Sequence, residues 1–228
     1  VHEYTHGVTN RLTGGPSTTT CLGNTEQPGE GWSDYFALML TTNWRISNIS
    51  DGILPRSIGT YVLGQPLSGK GIRDYYYSTN RQVNPLHYGM LSSMEGNAHK
   101  IGEIWCSALW DLTWLIIGQY GIDYNLMDTQ QTGGNTIAMK LVLEGLRLQP
   151  CRPGFIDARN AILQADSLFF QGRYSCLIWK AFAARGMGIN ALQGSSNSTI
   201  DQVADFKDFA GVRMTTTTNF VKQHEGME

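Results

Sequence analysis

The pattern of apolar and polar positions predicts a chain built mainly from α-helices. In residues 30–40, Trp32, Phe36 and Met39 recur at the spacing that places them on one face of a helix. Residues 98–120 repeat this spacing over a longer stretch that ends at Gly121. The predicted helices cover residues 2–12, 30–40, 98–120, 135–148, 156–169 and 176–184.

The segments between these helices are rich in turn-forming residues. The first helix is expected to stop at Gly14, because a second glycine and a proline follow it directly. Residues 43–97 contain dense turn residues and short apolar runs, so we expect loops, turns and short strands there. The fold class is therefore mainly α.

Composition and charge narrow the function classes. The chain has 228 residues, 41% of them apolar and 16% charged, with a formal net charge of −2. These values are ordinary for a globular protein and give no basic surface for a nucleic acid. The longest apolar stretch, residues 108–117, is interrupted by Asp111 and is too short to cross a bilayer. We expect neither a nucleic-acid partner nor a membrane span.

The four cysteines lack the paired spacing of a zinc ribbon. A disulfide between Cys151 and Cys176 would close a modest loop, and Asn48 and Asn197 begin N-x-S/T glycosylation sequons. These features suit a secreted protein. Buried free thiols and chance sequons explain them equally well.

The first residues carry a metal-binding pattern. His2 and His6 belong to an HExxH motif, and on a helix their side chains project from the same face, so both imidazoles can reach one ion. Glu3 stands beside His2, where its carboxylate can reach a water at the metal instead of the metal. Taken alone, the motif is also compatible with a histidine pair that binds nothing.

A catalytic zinc takes three protein ligands and keeps one position for water. Glu30 begins the second predicted helix and is the candidate third ligand. Asp34, one turn further on the same face, can accept the free ring N–H of a ligand histidine, with His2 as the favoured partner. The alternative for both acids is a solvated pair in the first turn of a helix.

A developing oxyanion requires hydrogen-bond donors beyond the ion itself. His99, at the start of the long predicted helix, is the candidate, and Glu95 could orient it. A lone histidine is more often a surface or capping residue, so the residues alone leave this role open.

These residues belong to a longer run that resembles the signature of the fungalysin family of zinc metallopeptidases, relatives of thermolysin. The run comprises residues 2–15, Cys21-Leu22 and Gly29-Glu30-Gly31-Trp32-Ser33-Asp34. Further similar stretches are residues 72–79, 84–86, 99–105, 150–166 and 176–188. The similarity reaches about residue 190, so residues 191–228 are expected to form a tail.

The resemblance implies that His2, His6 and Glu30 hold one Zn²⁺. It also implies that Glu3 is the general base that activates the attacking water, and that Asp34 supports a ligand histidine. No motif indicates a calcium site.

The resemblance implies roles for residues 73–99 as well. His99 matches the histidine that helps to hold the oxyanion. Arg73 matches the arginine that binds a backbone carbonyl of the substrate, a role that nothing else about a single loop arginine indicates. Tyr76 and Tyr77 are candidates for a tyrosine that assists the oxyanion.

The expected function is that of a secreted zinc metalloendopeptidase made as a zymogen and acting on proteins or peptides. Residues 1–190 would be the helical C-terminal lobe of a thermolysin-like catalytic domain, with the zinc site in residues 1–34. By the same resemblance, an upstream lobe and a prodomain would precede this chain. We expect the chain by itself to be a poor peptidase.

Two alternatives remain from the sequence. One is a catalytically silent, peptidase-derived helical interaction module, against which the intact set of base, ligands and supporting acid argues. The other is a different HExxH hydrolase; the absence of a third histidine shortly after His6 argues against the metzincins.

Overall fold

The computed structural model describes residues 1–127, 130 and 132–209. Its α-helices are α1 (His2–Gly14), α2 (Gly29–Thr41), α3 (Ala98–Tyr120), α4 (Gly134–Leu148), α5 (Phe155–Phe170) and α6 (Ser175–Ala184). Every helix predicted from the sequence is present, and each end lies within two residues of its predicted position. The mainly α fold class is confirmed.

Helix α3 is the centre of the core, because α2, α4 and α6 all pack against it. Ile104, Trp105 and Leu109 on this helix are 0% exposed. Its length and apolar composition match those of a membrane span, but most of its residues are buried inside the protein. This composition is what a helix packed on several sides requires.

Helices α2 and α3 approach each other at a pair of glycines. A Cβ atom on Gly31 would lie 2.4 Å from the carbonyl oxygen of Gly102, and one on Gly102 would lie 2.6 Å from Cβ of Glu30. Any larger side chain at either position would separate the two helices. The contact holds Glu30, in the first turn of α2, against the N-terminal part of α3.

The segment between α2 and α3 consists of loops and short 3-10 helices. The 3-10 helices are Asp51–Ile53, Tyr61–Leu63 and Tyr88–Met94. The predicted loops are confirmed, whereas the short strands are reduced to isolated bridges in the described residues, with Arg56 opposite Tyr77 in this segment.

One disulfide links Cys21 to Cys151 across a sequence separation of 130 residues. It joins the loop after α1 to the connection between α4 and α5, where the N–H of Arg152 also donates to the carbonyl oxygen of Cys21 at 2.8 Å. Cys106 is a buried free thiol and Cys176 an exposed one. The pairing of Cys151 with Cys176 is therefore wrong, because the fold brings Cys21 to Cys151 instead.

The residues after α6 return to the helical body. Met187 forms a parallel bridge with Asp205, and Leu192 forms an antiparallel bridge with Val203. Thr199, between them, is only 1% exposed. Residues 210–228 of the predicted tail lie outside the described residues.

Candidate metal centre

Three predicted ligands meet where α1 packs against α2. Nε2 of His6 lies 3.1 Å from Nε2 of His2. Glu30 reaches both rings: Oε2 lies 3.1 Å from His2 Nε2, and Oε1 lies 3.5 Å from His6 Nε2. The structure thus brings ligand atoms of all three residues within 4.8 Å of one another.

These separations fit a zinc ion. Ligand atoms about 2.0–2.1 Å from one ion in a tetrahedral arrangement lie about 3.4 Å apart. The observed separations of 3.1, 3.1 and 3.5 Å are close to that value. Two imidazole nitrogens and a carboxylate directed at one point leave a concentration of lone pairs that a cation stabilises. The donor set, two nitrogens and one oxygen, is one that zinc accepts at catalytic sites.

His2 is oriented by Asp34. Its Nδ1 lies 2.8 Å from Oδ1 of Asp34, on the ring nitrogen that does not face His6. Burial lowers the pKa of His2, but the hydrogen bonds and charges of Asp34 and Glu30 outweigh burial and raise that pKa to about 9. Without metal, both ring nitrogens of His2 therefore carry a proton at neutral pH. A metal would displace the proton at Nε2, while the Asp34 carboxylate would hold the one at Nδ1.

Asp34 is itself held by a buried network. Arg73 donates from Nε to Oδ2 at 2.7 Å and from Nη2 to Oδ1 at 2.8 Å, which is a bidentate pair. The hydroxyl of Tyr77 also donates to Oδ2. Burial raises the pKa of the Asp34 carboxyl, but the hydrogen bonds from His2 and Arg73 keep it below its usual range.

The network around Asp34 bears on the roles expected of Tyr77 and Arg73. Tyr77 is 0% exposed and its hydroxyl is committed to Asp34, so the hypothesis that Tyr77 assists the oxyanion is wrong. Arg73 is 6% exposed, and its Nη2 also lies 3.5 Å from Oε2 of Glu30. Arg73 therefore supports both acids of the centre, in addition to any contact with a substrate.

Ser33 is a site residue that the sequence did not single out. Its hydroxyl oxygen lies 3.0 Å from Nδ1 of His6, and the residue is 0% exposed. Ser33 thus contacts Nδ1 of His6 in the same way that Asp34 contacts Nδ1 of His2. The signal was its place directly before Asp34, three residues after Glu30 on the same helix.

His99 lies at the exposed side of the centre, and Glu3 follows His2 on α1. The Glu3 residue is exposed, and its carboxylate forms no ion pair or hydrogen bond within the described residues. His99 follows Asn97, whose side chain caps α3, and its ring is 63% exposed with Nε2 3.5 Å from Oε2 of Glu30. The expectation that Glu95 orients His99 is wrong, because the only carboxylate paired with His99 among the described residues is that of Glu30.

Comparison with known proteins finds metallopeptidases that are similar to this chain. A sequence model of the fungalysin metallopeptidase family matches residues 1–191. An extracellular metalloproteinase 3 of Trichophyton soudanense is 41% identical over 205 residues, which cover 87% of this chain and 50% of that protein. An extracellular metalloproteinase 4 of Arthroderma otae is 43% identical over 201 residues, 84% of this chain and 29% of that protein. A further extracellular metalloproteinase 4, from Trichophyton tonsurans, is 43% identical over 209 residues, 87% of this chain and 31% of that protein.

These relatives are longer than this chain. The chain spans about half the length of the Trichophyton soudanense protein and about three tenths of the other two. The activity of a whole relative is thus a property of a longer polypeptide.

Proposed function

Because this chain belongs to the fungalysin family of metallopeptidases, we propose that it carries the catalytic metal site of a secreted zinc-dependent metalloendopeptidase. Its substrates are proteins or peptides. The observation that carries this proposal is the convergence of His2, His6 and Glu30 on one point. The three relatives are named extracellular metalloproteinases, which supports both metal-dependent proteolysis and secretion.

The proposed reaction is hydrolysis of a peptide bond by water. Zinc held by His2, His6 and Glu30 would polarise the scissile carbonyl and lower the pKa of water at the site to about 7. Glu3 accepts the proton of the attacking water and then donates it to the leaving amine. The Glu3 carboxylate suits this role because no ion pair or hydrogen bond within the described residues engages it.

Two further residues assist in the proposed mechanism. The exposed ring of His99 donates an N–H to the oxygen on which negative charge develops. Arg73 uses Nε and Nη2 for Asp34 and Glu30, whereas its Nη1 makes no hydrogen bond with the described residues. That free donor is the group we assign to a backbone carbonyl of the substrate.

The proposed catalytic unit is larger than this chain. We assign residues 1–190 to the helical lobe of the catalytic domain, with an upstream lobe and a prodomain of the same precursor as its partners. The greater length of the relatives supports this assignment. Hydrolysis should therefore be assayed with a polypeptide extended at its N-terminus. Metal binding can be measured either with that polypeptide or with this chain.

The test begins with metal binding. Zinc-free protein is titrated with zinc in competition with a chromophoric chelator, and we expect one zinc per chain. The variant His6→Ala should lower the zinc affinity by more than about a hundredfold, since losing a ligand costs more than losing a supporting hydrogen bond. The control is His87→Asn, because His87 lies outside the centre. Equal affinities of His6→Ala and the wild type would refute the ligand assignment.

The second part measures turnover. Glu3→Gln should bind zinc normally but cleave a peptide about 10² to 10⁴ times more slowly, because an amide cannot accept the proton of water. Wild-type turnover in that variant would remove Glu3 from the mechanism. A wild-type protein that binds zinc and cleaves no peptide would instead favour the catalytically silent interaction module.

A further inference from the structure

A cavity of about 360 Å³ lies between α6, the C-terminal half of α3 and the loop at residues 49–53. Its apolar walls come from Ile49, Ile53, Trp114, Leu115 and Ala181. None of the metal-centre residues lines it. Sites for small molecules in proteins start at about 300 Å³ and are lined mainly by apolar side chains, so this cavity has the size and character of a small ligand site.

The positively charged side chains at this cavity outnumber the carboxylates. Arg81, Asp111 and Lys180 all line it. Asp111 already forms a bidentate pair with the buried Arg185, at 2.7 and 2.9 Å, and lies 3.7 Å from Nη2 of Arg81. Lys180 forms no ion pair with any residue that the structure describes. Arg81 and Arg185 therefore share one carboxylate, and Lys180 has no ion-pair partner among the described residues.

Arg81 is the group most affected by this imbalance. Its guanidinium donates from Nη1 to the carbonyl oxygen of Leu86 at 3.1 Å and from Nη2 to that of Ala184. Burial lowers the pKa of Arg81 to about 10, and the positive charge of Arg185 contributes to that decrease. An added anion beside Arg81 would be favourable, because it would supply the counter-charge that Asp111 gives to Arg185.

We propose that this cavity binds a small molecule or peptide end that combines an apolar body with a single carboxylate. The apolar body would lie against Trp114, and the carboxylate would accept hydrogen bonds from Arg81 and Lys180. One guanidinium and one ammonium group provide a charged donor for each oxygen of one carboxylate. Asp51 does not oppose this arrangement, because its side chain is not on the wall and Oδ2 accepts the N–H of Asn48 at 2.8 Å.

The test is a binding titration of the full chain, prepared zinc-free so that the metal centre does not attract the probe. 3-Phenylpropionate is the probe, and 3-phenylpropanamide is its uncharged analogue. The shift of the Trp114 indole N–H resonance, assigned with Trp114→Phe, reports occupancy of the cavity. We expect a dissociation constant of about 1 mM for the acid, as is usual for a ligand of this size, and much weaker binding of the amide.

A second pair of probes distinguishes the carboxyl terminus of a peptide from a free organic acid as the ligand. N-acetylphenylalanine presents the carboxylate as the end of a peptide does, and N-acetylphenylalaninamide is its neutral control. Tighter binding of N-acetylphenylalanine than of 3-phenylpropionate identifies the carboxyl terminus of a peptide as the ligand. The reverse order identifies a free organic acid. Either order supports the proposal.

Matched variants then locate the charge recognition. Arg81→Gln should weaken binding of the acid about tenfold, the effect of one charge-assisted hydrogen bond. Lys180→Gln should weaken it about threefold, since this ammonium group is exposed. Lys180 makes no hydrogen bond to the described residues, so its variant keeps the test valid if Arg81→Gln fails to fold. Lys70→Gln removes an exposed charge elsewhere and should change nothing.

Three results would overturn the proposal. The first is binding of the amide as tight as that of the acid. The second is unchanged affinity in Lys180→Gln together with unchanged affinity or misfolding in Arg81→Gln. The third is the absence of any shift of the Trp114 resonance up to the solubility limit of both acids.

Discussion

The hydroxyl oxygen of Ser33 lies 3.0 Å from Nδ1 of His6, on the ring nitrogen that does not face His2. Ser33 is 0% exposed, so no bulk water competes for this contact. The hydroxyl can accept a hydrogen bond from Nδ1–H and thereby direct the Nε2 lone pair of His6 toward the point shared with Glu30. His6 and His2 are therefore contacted by different groups, a neutral hydroxyl and the carboxylate of Asp34.

Removal of the Ser33 hydroxyl should weaken metal binding without removing a ligand. We expect Ser33→Ala to lower the zinc affinity about tenfold or more, because the proton on His6 would no longer be held at Nδ1. Competition with a chromophoric chelator measures this affinity. Ser47→Ala serves as the control, because Ser47 is half-buried away from the centre and its hydroxyl donates only to the carbonyl oxygen of Asn43. Identical affinities of Ser33→Ala and this control would show that Ser33 only fills space.

The pair of Asp34 and Arg73 should matter for folding even without metal. In Asp34→Asn the buried guanidinium of Arg73 would lose its counter-charge, so we expect the free energy of unfolding to fall by about 3–5 kcal/mol. Denaturant titration of zinc-free protein measures this change. Asp74→Asn is the matched control, because it removes an exposed ion pair, 2.7 Å from Lys100, that should contribute less than about 1 kcal/mol. Equal losses in both variants would contradict the proposed importance of burial.

His99 should act on turnover and not on metal binding. We expect His99→Ala in the N-terminally extended protein to lower kcat and kcat/KM by similar factors, about 10² to 10³, because its N–H is used mainly in the transition state. The zinc content should not change. His99→Gln keeps an N–H donor and should recover part of the rate. Loss of zinc from His99→Ala would mean that His99 holds the metal or the fold instead.

The buried carboxyl of Glu26 should make stability depend on pH. Glu26 is 0% exposed; burial raises its pKa from 4.5 to about 8, although hydrogen bonds from Tyr88 and Phe155 oppose the shift. The folded state thus holds a proton that the unfolded state releases above its lower pKa. The contribution of Glu26 is fully present below the unfolded pKa of 4.5 and declines as the pH rises toward 8.

The variant Glu26→Gln isolates this contribution. Its amide oxygen can still accept from the Tyr88 hydroxyl and the Phe155 N–H, which both donate to Oε1 in the wild type. Denaturant titrations of zinc-free protein between pH 5 and pH 8 should show the wild type losing about 1.4 kcal/mol per pH unit relative to the variant. Parallel stability profiles of the two proteins would contradict a neutral Glu26 in the folded state.

Features that depend on neighbouring residues could be predicted from the sequence, whereas contacts between distant residues could not. The described α-helices were predicted because their apolar spacing, and the glycines that end α1 and α3, are local features. The approach of His2 to His6 was predictable for the same reason, since residues four apart on a helix share a face. Glu30 was a candidate third ligand because it begins the next predicted helix after the HExxH motif, and the fold brings it across the intervening loop to His2.

The remaining features depend on contacts between residues far apart in the chain. The bidentate pairing of Arg73 with Asp34, the commitment of Tyr77 to that same carboxylate and the disulfide from Cys21 to Cys151 leave no periodic signal in the sequence. The sequence by itself determined the helices and indicated the metallopeptidase family and the proposed ligands, because these follow from spacing and residue type. Only the tertiary structure decided which groups orient those ligands and where charge is left unbalanced, because packing sets the distances between groups on different elements.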